Sequence, residues 1–149
     1  MITLRILKAS LKKFLDLHWH SSFTHERPVW SKCWTGIGEL PNRQLPGCYA
    51  LLSGQGIEYI GSGIRRGKNG YTDNGLGGRA AATYSRWDKQ ATLGDGTRIY
   101  RFMDGWKGVY TVGFPPELGY LALAFEHFLI IRHGAHLRNK VRMSGGLSG

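Results

Sequence analysis

The chain has 149 residues, with twenty Lys or Arg against ten Asp or Glu and a formal net charge of +10 at pH 7. That length suits one domain with one real core, and a composition 42% hydrophobic and 12% aromatic excludes a disordered or fibrous chain. The charge excess is spread, seven basic against three acidic residues over 1–46 and thirteen against seven over 47–149, so no charged tail stands apart, and its sign favours a nucleic acid or an anionic membrane surface as partner.

Residues 4–18 place Leu4, Leu7, Leu11, Phe14, Leu15 and His18 near helical spacing, with Lys8, Lys12, Lys13 and Asp16 on the other side. This predicts an amphipathic helix packed on the main body. From Ser21 to Pro46, prolines, glycines and aromatics (Pro28, Trp30, Trp34, Gly36, Gly38, Pro41) break the pattern and read as an ordered, irregular connection. Two β-favourable runs, 47–53 and 56–61, meet through Gly54-Gln55-Gly56 and predict a hairpin. A loop rich in Gly, Arg and Asn follows over 62–74. Asp73 or Asn74 then caps a helix expected over 76–87, with Leu76, Ala80, Tyr84 and Trp87 on one face and Arg79, Thr83 and Arg86 as a polar stripe beside it. Further strands are expected over 98–103 and 108–114. Pro115-Pro116 opens a helix through the apolar run 118–131, Gly134 suits its C-terminal cap, and the basic stretch 137–143 reads as frayed. The organisation is an extension over 1–46, a small α+β layer over 47–143 and a flexible Gly/Ser tail over 144–149.

Cys33 and Cys48 lie far apart with no C-x-x-C spacing, which argues against a disulfide framework or a zinc ribbon and for a reducing compartment. Lys8, Lys12, Lys13 and Asp16 interrupt any secretory pattern, and the apolar run of fourteen residues is shorter than the ~20 of a membrane span. A soluble, cytoplasmic protein is expected.

One acid interrupts that run. An ionised carboxylate in a largely buried helix costs several kcal/mol unless something pairs with it, so Glu126 calls for a cation. Since the charge balance favours a polyanion, the combination points to metal-assisted chemistry on nucleic acid.

The two strands read Gly47-Cys48-Tyr49 and Tyr59-Ile60-Gly61, with their tyrosines ten residues apart. Downstream come, in order, Leu76-Gly77-Gly78-Arg79 at a helix start, Ala122-Leu123-Ala124-Phe125-Glu126 in the apolar helix, and Leu137-Arg138-Asn139. This succession, over roughly 47–143, resembles the GIY-YIG nuclease superfamily, with Cys48 in place of the middle Ile. The resemblance implies an antiparallel hairpin with further strands flanked by helices, and a Mg²⁺-dependent endonuclease, Mn²⁺ able to substitute, that hydrolyses phosphodiester bonds in DNA. It implies Tyr49 as base or water-orienting group, Tyr59 as its polarising partner, Arg79 on the scissile phosphate, Glu126 on the metal and Asn139 as a brace. Two departures stand out. Many members carry His or Tyr one turn after the arginine, where this chain has Thr83 followed by Tyr84. Ser62 stands where Lys is frequent, while Arg65, Arg66 and Lys68 occupy a longer loop.

Physical chemistry accounts for these residue types. A phenol with its pKa near 10 is a poor base at neutral pH unless nearby cations favour the phenolate, and Arg79 with a metal on Glu126 would supply such a field. One carboxylate with phosphate oxygens and waters is a sufficient Mg²⁺ site. Arg65, Arg66, Lys68, Arg86 and Lys140 are expected to track phosphates. Exposed members of Trp30, Trp34 and Trp106 would stack on splayed bases. A homodimer would serve double-strand cleavage, and the alternative is a non-cleaving nucleic-acid-binding module of the same fold. The run Gly61-Ser-Gly-Ile-Arg-Arg-Gly67-Lys68 misses phosphate-loop spacing and has Asn69 where Ser or Thr would bind magnesium, and no histidines stand at zinc-site spacing.

Overall fold

The computed structural model describes residues 1–64, 66–67, 70–71, 75–91 and 93–139. Arg65, Lys68 and Lys140 lie outside the described residues, and Arg66 is described in its backbone alone.

The Thr3 hydroxyl accepts the Ile6 N–H at 3.3 Å and starts helix α1 (Leu4–His18), which buries Leu7, Leu11, Phe14 and Leu15. The hairpin pairs β1 (Gly47–Ser53) with β2 (Gly56–Gly63), in register from Gly47 opposite Gly63 to Ser53 opposite Gly56. Gly56 takes φ 114°, which this tight turn requires and other residues rarely adopt. A two-residue pair follows, β3 (Arg66–Gly67) with β4 (Gly70–Tyr71). Helix α2 spans 75–84; Gly77–Ala81 is a π-helical turn and Ala82–Tyr84 is α-helical. Strands β5 (Ser85–Asp88) and β6 (Ile99–Phe102) form a separate antiparallel ribbon. Strand β7 (Gly108–Gly113) pairs with the free edge of β1, giving a three-stranded antiparallel sheet in the order β2-β1-β7. A 3₁₀ turn over Pro116–Leu118 leads into α3 (Tyr120–His133). The α+β class and the hairpin are as expected.

Alternation along β1 sends its side chains to two cores. Cys48 and Ala50 join Ile57, Ile60 and Val112 against α1 and α3, with Phe14, Phe114, Phe125 and Leu129 at the centre. Tyr49 and Leu51 face the other way, onto Leu76 and Ala80 of α2, Trp34 and Trp106. The sheet is thus a middle layer, and α1 belongs to the same core as the hairpin.

The connection over 19–46 runs beside the outer edge of β7, where Trp30 bridges to Val112 and Trp34 to Val109. It covers an edge that would otherwise present unpaired backbone. That pairing buries both rings: the Trp30 indole N–H donates to the Leu7 carbonyl at 3.1 Å and the Trp34 indole N–H to the Gly38 carbonyl at 3.2 Å. Trp106 is buried as well. None of the three is a base-stacking surface, contrary to expectation.

Two further expectations are corrected. The helix predicted over 76–87 stops at Tyr84, because the Ser85 hydroxyl donates to the Ala81 carbonyl at 2.6 Å and the chain then turns extended to pair with β6. Arg86 and Trp87 are therefore strand residues. Helix α3 is not buried all round: Tyr120, Leu123 and Ile131 are exposed, and Glu126 is half-buried. Gly134 is its C-terminal cap, as expected, in the right-handed conformation with φ −55°, and leads into a 3₁₀ turn over Gly134–His136.

Helices α1 and α3 are tied by the Ser10 hydroxyl and His133 Nε2 at 2.9 Å. Burial, with the charges of Arg132 and His136, lowers the His133 pKa, so folding favours the neutral ring. A depressed histidine contributes stability that is present above its unfolded pKa of ~6.5 and lost as pH falls through the folded value. Melting temperature should therefore drop between pH of about 7 and about 5, and His133→Gln should flatten that part of the curve. An unchanged slope in the variant would assign the loss to other groups.

Candidate active site

In the β1/β2 register Tyr49 lies opposite Gly61 and Tyr59 opposite Leu51, so both phenols stand on one face as diagonal neighbours. The Gly61 position lies under the Tyr49 ring, and a Cβ there would overlap the phenol carbons. The glycine after the second tyrosine is thus required by the first. The two rings stack with centroids 6.3 Å apart and planes at 22°.

Tyr84 completes the cluster from α2. Its hydroxyl is 3.2 Å from that of Tyr49, and its ring centroid lies 5.7 Å from Tyr49 and 5.9 Å from Tyr59. Leu76 and Ala80 are buried on the same side of the helix, whereas Arg79 and Thr83 are exposed. The residue one turn after Arg79 therefore faces solvent, and the tyrosine next to it joins the phenols. Arg79 sits in the π turn, closed by the Ala82 N–H on the Gly77 carbonyl; such turns are frequent at functional sites. Glycines set this helix in place. A Cβ on Gly63 would strike Leu76 Cα at 2.7 Å, and one on Gly75 the Leu45 carbonyl at 2.8 Å. The Leu76 and Gly77 N–H groups donate to the Leu45 and Arg43 carbonyls at 3.2 and 2.9 Å.

Glu126 reaches this field from the other layer. The Cys48 thiol donates to the Ala122 carbonyl at 3.0 Å and fixes α3 over β1. Burial, then the Glu126 charge, pushes the Cys48 thiol well up. Burial likewise raises the Tyr49 phenol far above its ordinary range, followed by the Tyr84 hydrogen bond and the charges of Tyr84, Tyr59 and Glu126. Burial therefore favours Tyr49 as a neutral hydrogen-bonding group over the phenolate. Among the described residues no three His, Cys, Asp or Glu side chains converge, so a metal here would be held by Glu126 with phosphate and water oxygens, a donor set that suits Mg²⁺.

The stretch expected to be frayed is anchored as far as Asn139. Arg138 donates its N–H to the Glu58 carbonyl at 2.7 Å and its guanidinium to the Glu58 carboxylate at 2.6 Å. Asn139 is buried; its Oδ1 accepts the Ile60 N–H at 3.0 Å and its Nδ2 donates to the Ile60 carbonyl at 2.7 Å. These bonds clamp the outer edge of β2 on both sides of Tyr59. The Arg138 guanidinium also lies 4.4 Å from the Trp106 ring centroid, and Trp106 meets Tyr84 edge-on at 6.4 Å. Asn139→Ala leaves the Ile60 backbone pair unsatisfied and should cost on the order of 2 kcal/mol in urea unfolding. A cost near zero would show that water replaces the side chain.

Two basic strand residues complete the surface. Arg86 is exposed and folds its guanidinium onto the Ala82 and Ser85 carbonyls at 3.0 and 3.1 Å. It lies opposite Arg101, which pairs with Asp88 at 3.1 Å. Trp87 is the aromatic that sequence reasoning missed: 39% exposed, with Arg98 over its ring at 4.1 Å and Lys89 at 5.2 Å. The β-favourable run Thr83-Tyr84-Ser85-Arg86-Trp87 was the available signal.

Compared with family models, curated proteins and solved structures, the chain matches none.

Proposed function

We propose that this protein is a Mg²⁺-dependent endonuclease acting on DNA, of the GIY-YIG type that its motif order resembles. The observation that carries the reading is the convergence of Tyr49, Tyr59 and Tyr84 on one sheet face, with the Glu126 charge acting on Tyr49 and Arg79 exposed on the adjoining helix.

In this reading the Arg79 guanidinium holds the scissile phosphate, where a charge-assisted contact strengthens as negative charge develops. Glu126 would hold Mg²⁺, which when bound stabilises charge on the phosphate and the leaving oxygen. Tyr49, kept neutral by burial, orients the attacking water through its hydroxyl; Tyr84 and Tyr59 fix its position. The water oxygen bonds to phosphorus, the bond from phosphorus to the 3′ oxygen breaks, the water proton passes to solvent and the 3′ oxygen takes one up. Asn139 acts at a distance by holding the Tyr59 strand. The exposed cations Arg86 and Arg101, with Arg65, Arg66, Lys68 and Lys140, supply the phosphate track.

Supercoiled plasmid, a single-stranded DNA circle and RNA, each incubated with Mg²⁺ or with EDTA, test this. Nicking of a DNA substrate only with Mg²⁺ is expected. Retention of DNA without any cutting would leave the binding-module alternative, and cutting of RNA alone would change the substrate class.

A further inference from the structure

Beside α2, along Gly77, Gly78, Ala81 and Ala82, lies a groove of about 810 Å³, a size that suits a small ligand. Its floor is the α2 backbone at Gly77 and Gly78, and Trp34, Leu40 and Tyr100 form an apolar wall. Arg43 and Arg98 stand on its rims, and Glu39 is the acid in its lining, ion-paired to Arg43 at 3.0 Å. With two cations against one carboxylate, the lining retains one positive charge, which matches one phosphodiester.

Gly78 singles out this groove. Glycine inside a helix is destabilising relative to alanine, and nothing in the fold requires one here: a Cβ would meet no atom within 4 Å. Its neighbour Gly77 is accounted for by the Arg43 carbonyl, which a Cβ would meet at 3.1 Å. The missing side chain at Gly78 instead keeps the groove open immediately beside Arg79.

We propose that this groove seats one nucleotide of the DNA strand whose scissile phosphate Arg79 holds, its base against the half-buried Tyr100 and its phosphate between Arg43 and Arg98. An amphipathic ligand with one negative charge fits a lining that is apolar on one side and cationic at the rims. The inference rests on the nuclease reading and extends it: α2 carries Arg79 for the reacting phosphate and flanks the seat of a neighbouring nucleotide.

The test is fluorescence anisotropy of a labelled DNA hairpin with single-stranded extensions, measured in EDTA so that binding is read without cutting, alongside thermal melts. Gly78→Leu fills the groove while favouring the helix. It should keep or raise the melting temperature and weaken binding by about tenfold or more. The double variant R43Q/R98Q should weaken binding comparably at moderate salt and reduce the slope of log affinity against log salt by about one. If Gly78→Leu lowers the melting temperature, the double variant decides. Binding by the deciding variant equal to wild type overturns the groove assignment even where wild type binds and cuts DNA. A wild-type protein that binds no DNA overturns both this assignment and the nuclease reading.

Discussion

Glu126→Ala should abolish DNA cleavage, with a single-turnover rate lower by about 10³-fold or more, as expected when the residue holding a catalytic cation is removed. The variant should still fold. Glu126 is half-buried rather than sealed in the core, so its truncation opens no core cavity and should cost on the order of 1 kcal/mol. Its charge opposes ionisation of Tyr49 and Cys48, so its removal should ease that opposition without changing their neutral state. DNA affinity without Mg²⁺ should persist or rise, since a negative charge near the phosphate is gone. Rates measured at saturating enzyme, with anisotropy in EDTA, separate the two effects. A variant that cuts near the wild-type rate would remove Glu126 from the chemistry.

Tyr49→Phe deletes one hydroxyl whose partner is the Tyr84 hydroxyl at 3.2 Å. A single such bond contributes about 1 kcal/mol, so the variant should fold. Cleavage should fall by about 10²-fold or more, the usual loss for a group that positions or exchanges a proton. The pH dependence sharpens this. Because burial raises the Tyr49 pKa and favours the neutral phenol, its ionisation should not shape the rate profile between pH of about 6 and about 9. Wild type and Tyr49→Phe should differ in height and share a shape. A limb that disappears in the variant would identify Tyr49 as a titrating base.

Much of this arrangement was legible from local chemistry. The hairpin followed from two β-favourable runs around Gly54-Gln55-Gly56, and α1 from the spacing of Leu7, Leu11, Phe14 and Leu15. Tyr49 and Tyr59 on one face followed once strands of period two were paired. Non-local pairing hid the rest. Nothing near Trp30 or Trp34 announces β7 as their partner, yet backbone bridges to Val112 and Val109 order the segment and bury both rings. The 83–88 stretch keeps helical spacing in its apolar residues, and only pairing with β6, some ten residues on, draws it into a strand. Arg138 and Asn139 read as tail because their partners, Glu58 and Ile60, lie far back in the chain. The apolar composition of α3 does not say which side is covered, so Glu126 was expected deeper than it lies.

These misreadings share a cause and bear on the site. The anchored 138–139 segment gives Asn139 a concrete task, holding the Ile60 backbone beside Tyr59. The strand at 85–88 moves Arg86 and Trp87 from a helix onto a ribbon edge, where cations flank an exposed indole. Tyr84 enters by tertiary packing, since no spacing rule placed its hydroxyl against that of Tyr49.

In the proposed reaction one carboxylate, one guanidinium and a cluster of neutral phenols hydrolyse DNA with a bound cation. Single-turnover conversion of supercoiled plasmid to nicked circle, followed across a Mg²⁺ titration and in EDTA, tests it most directly. The rate should saturate with Mg²⁺ and vanish in EDTA, and the ends should bear a 5′-phosphate and a 3′-hydroxyl. Cutting that is unchanged in EDTA, or intact plasmid at every Mg²⁺ concentration, would contradict it.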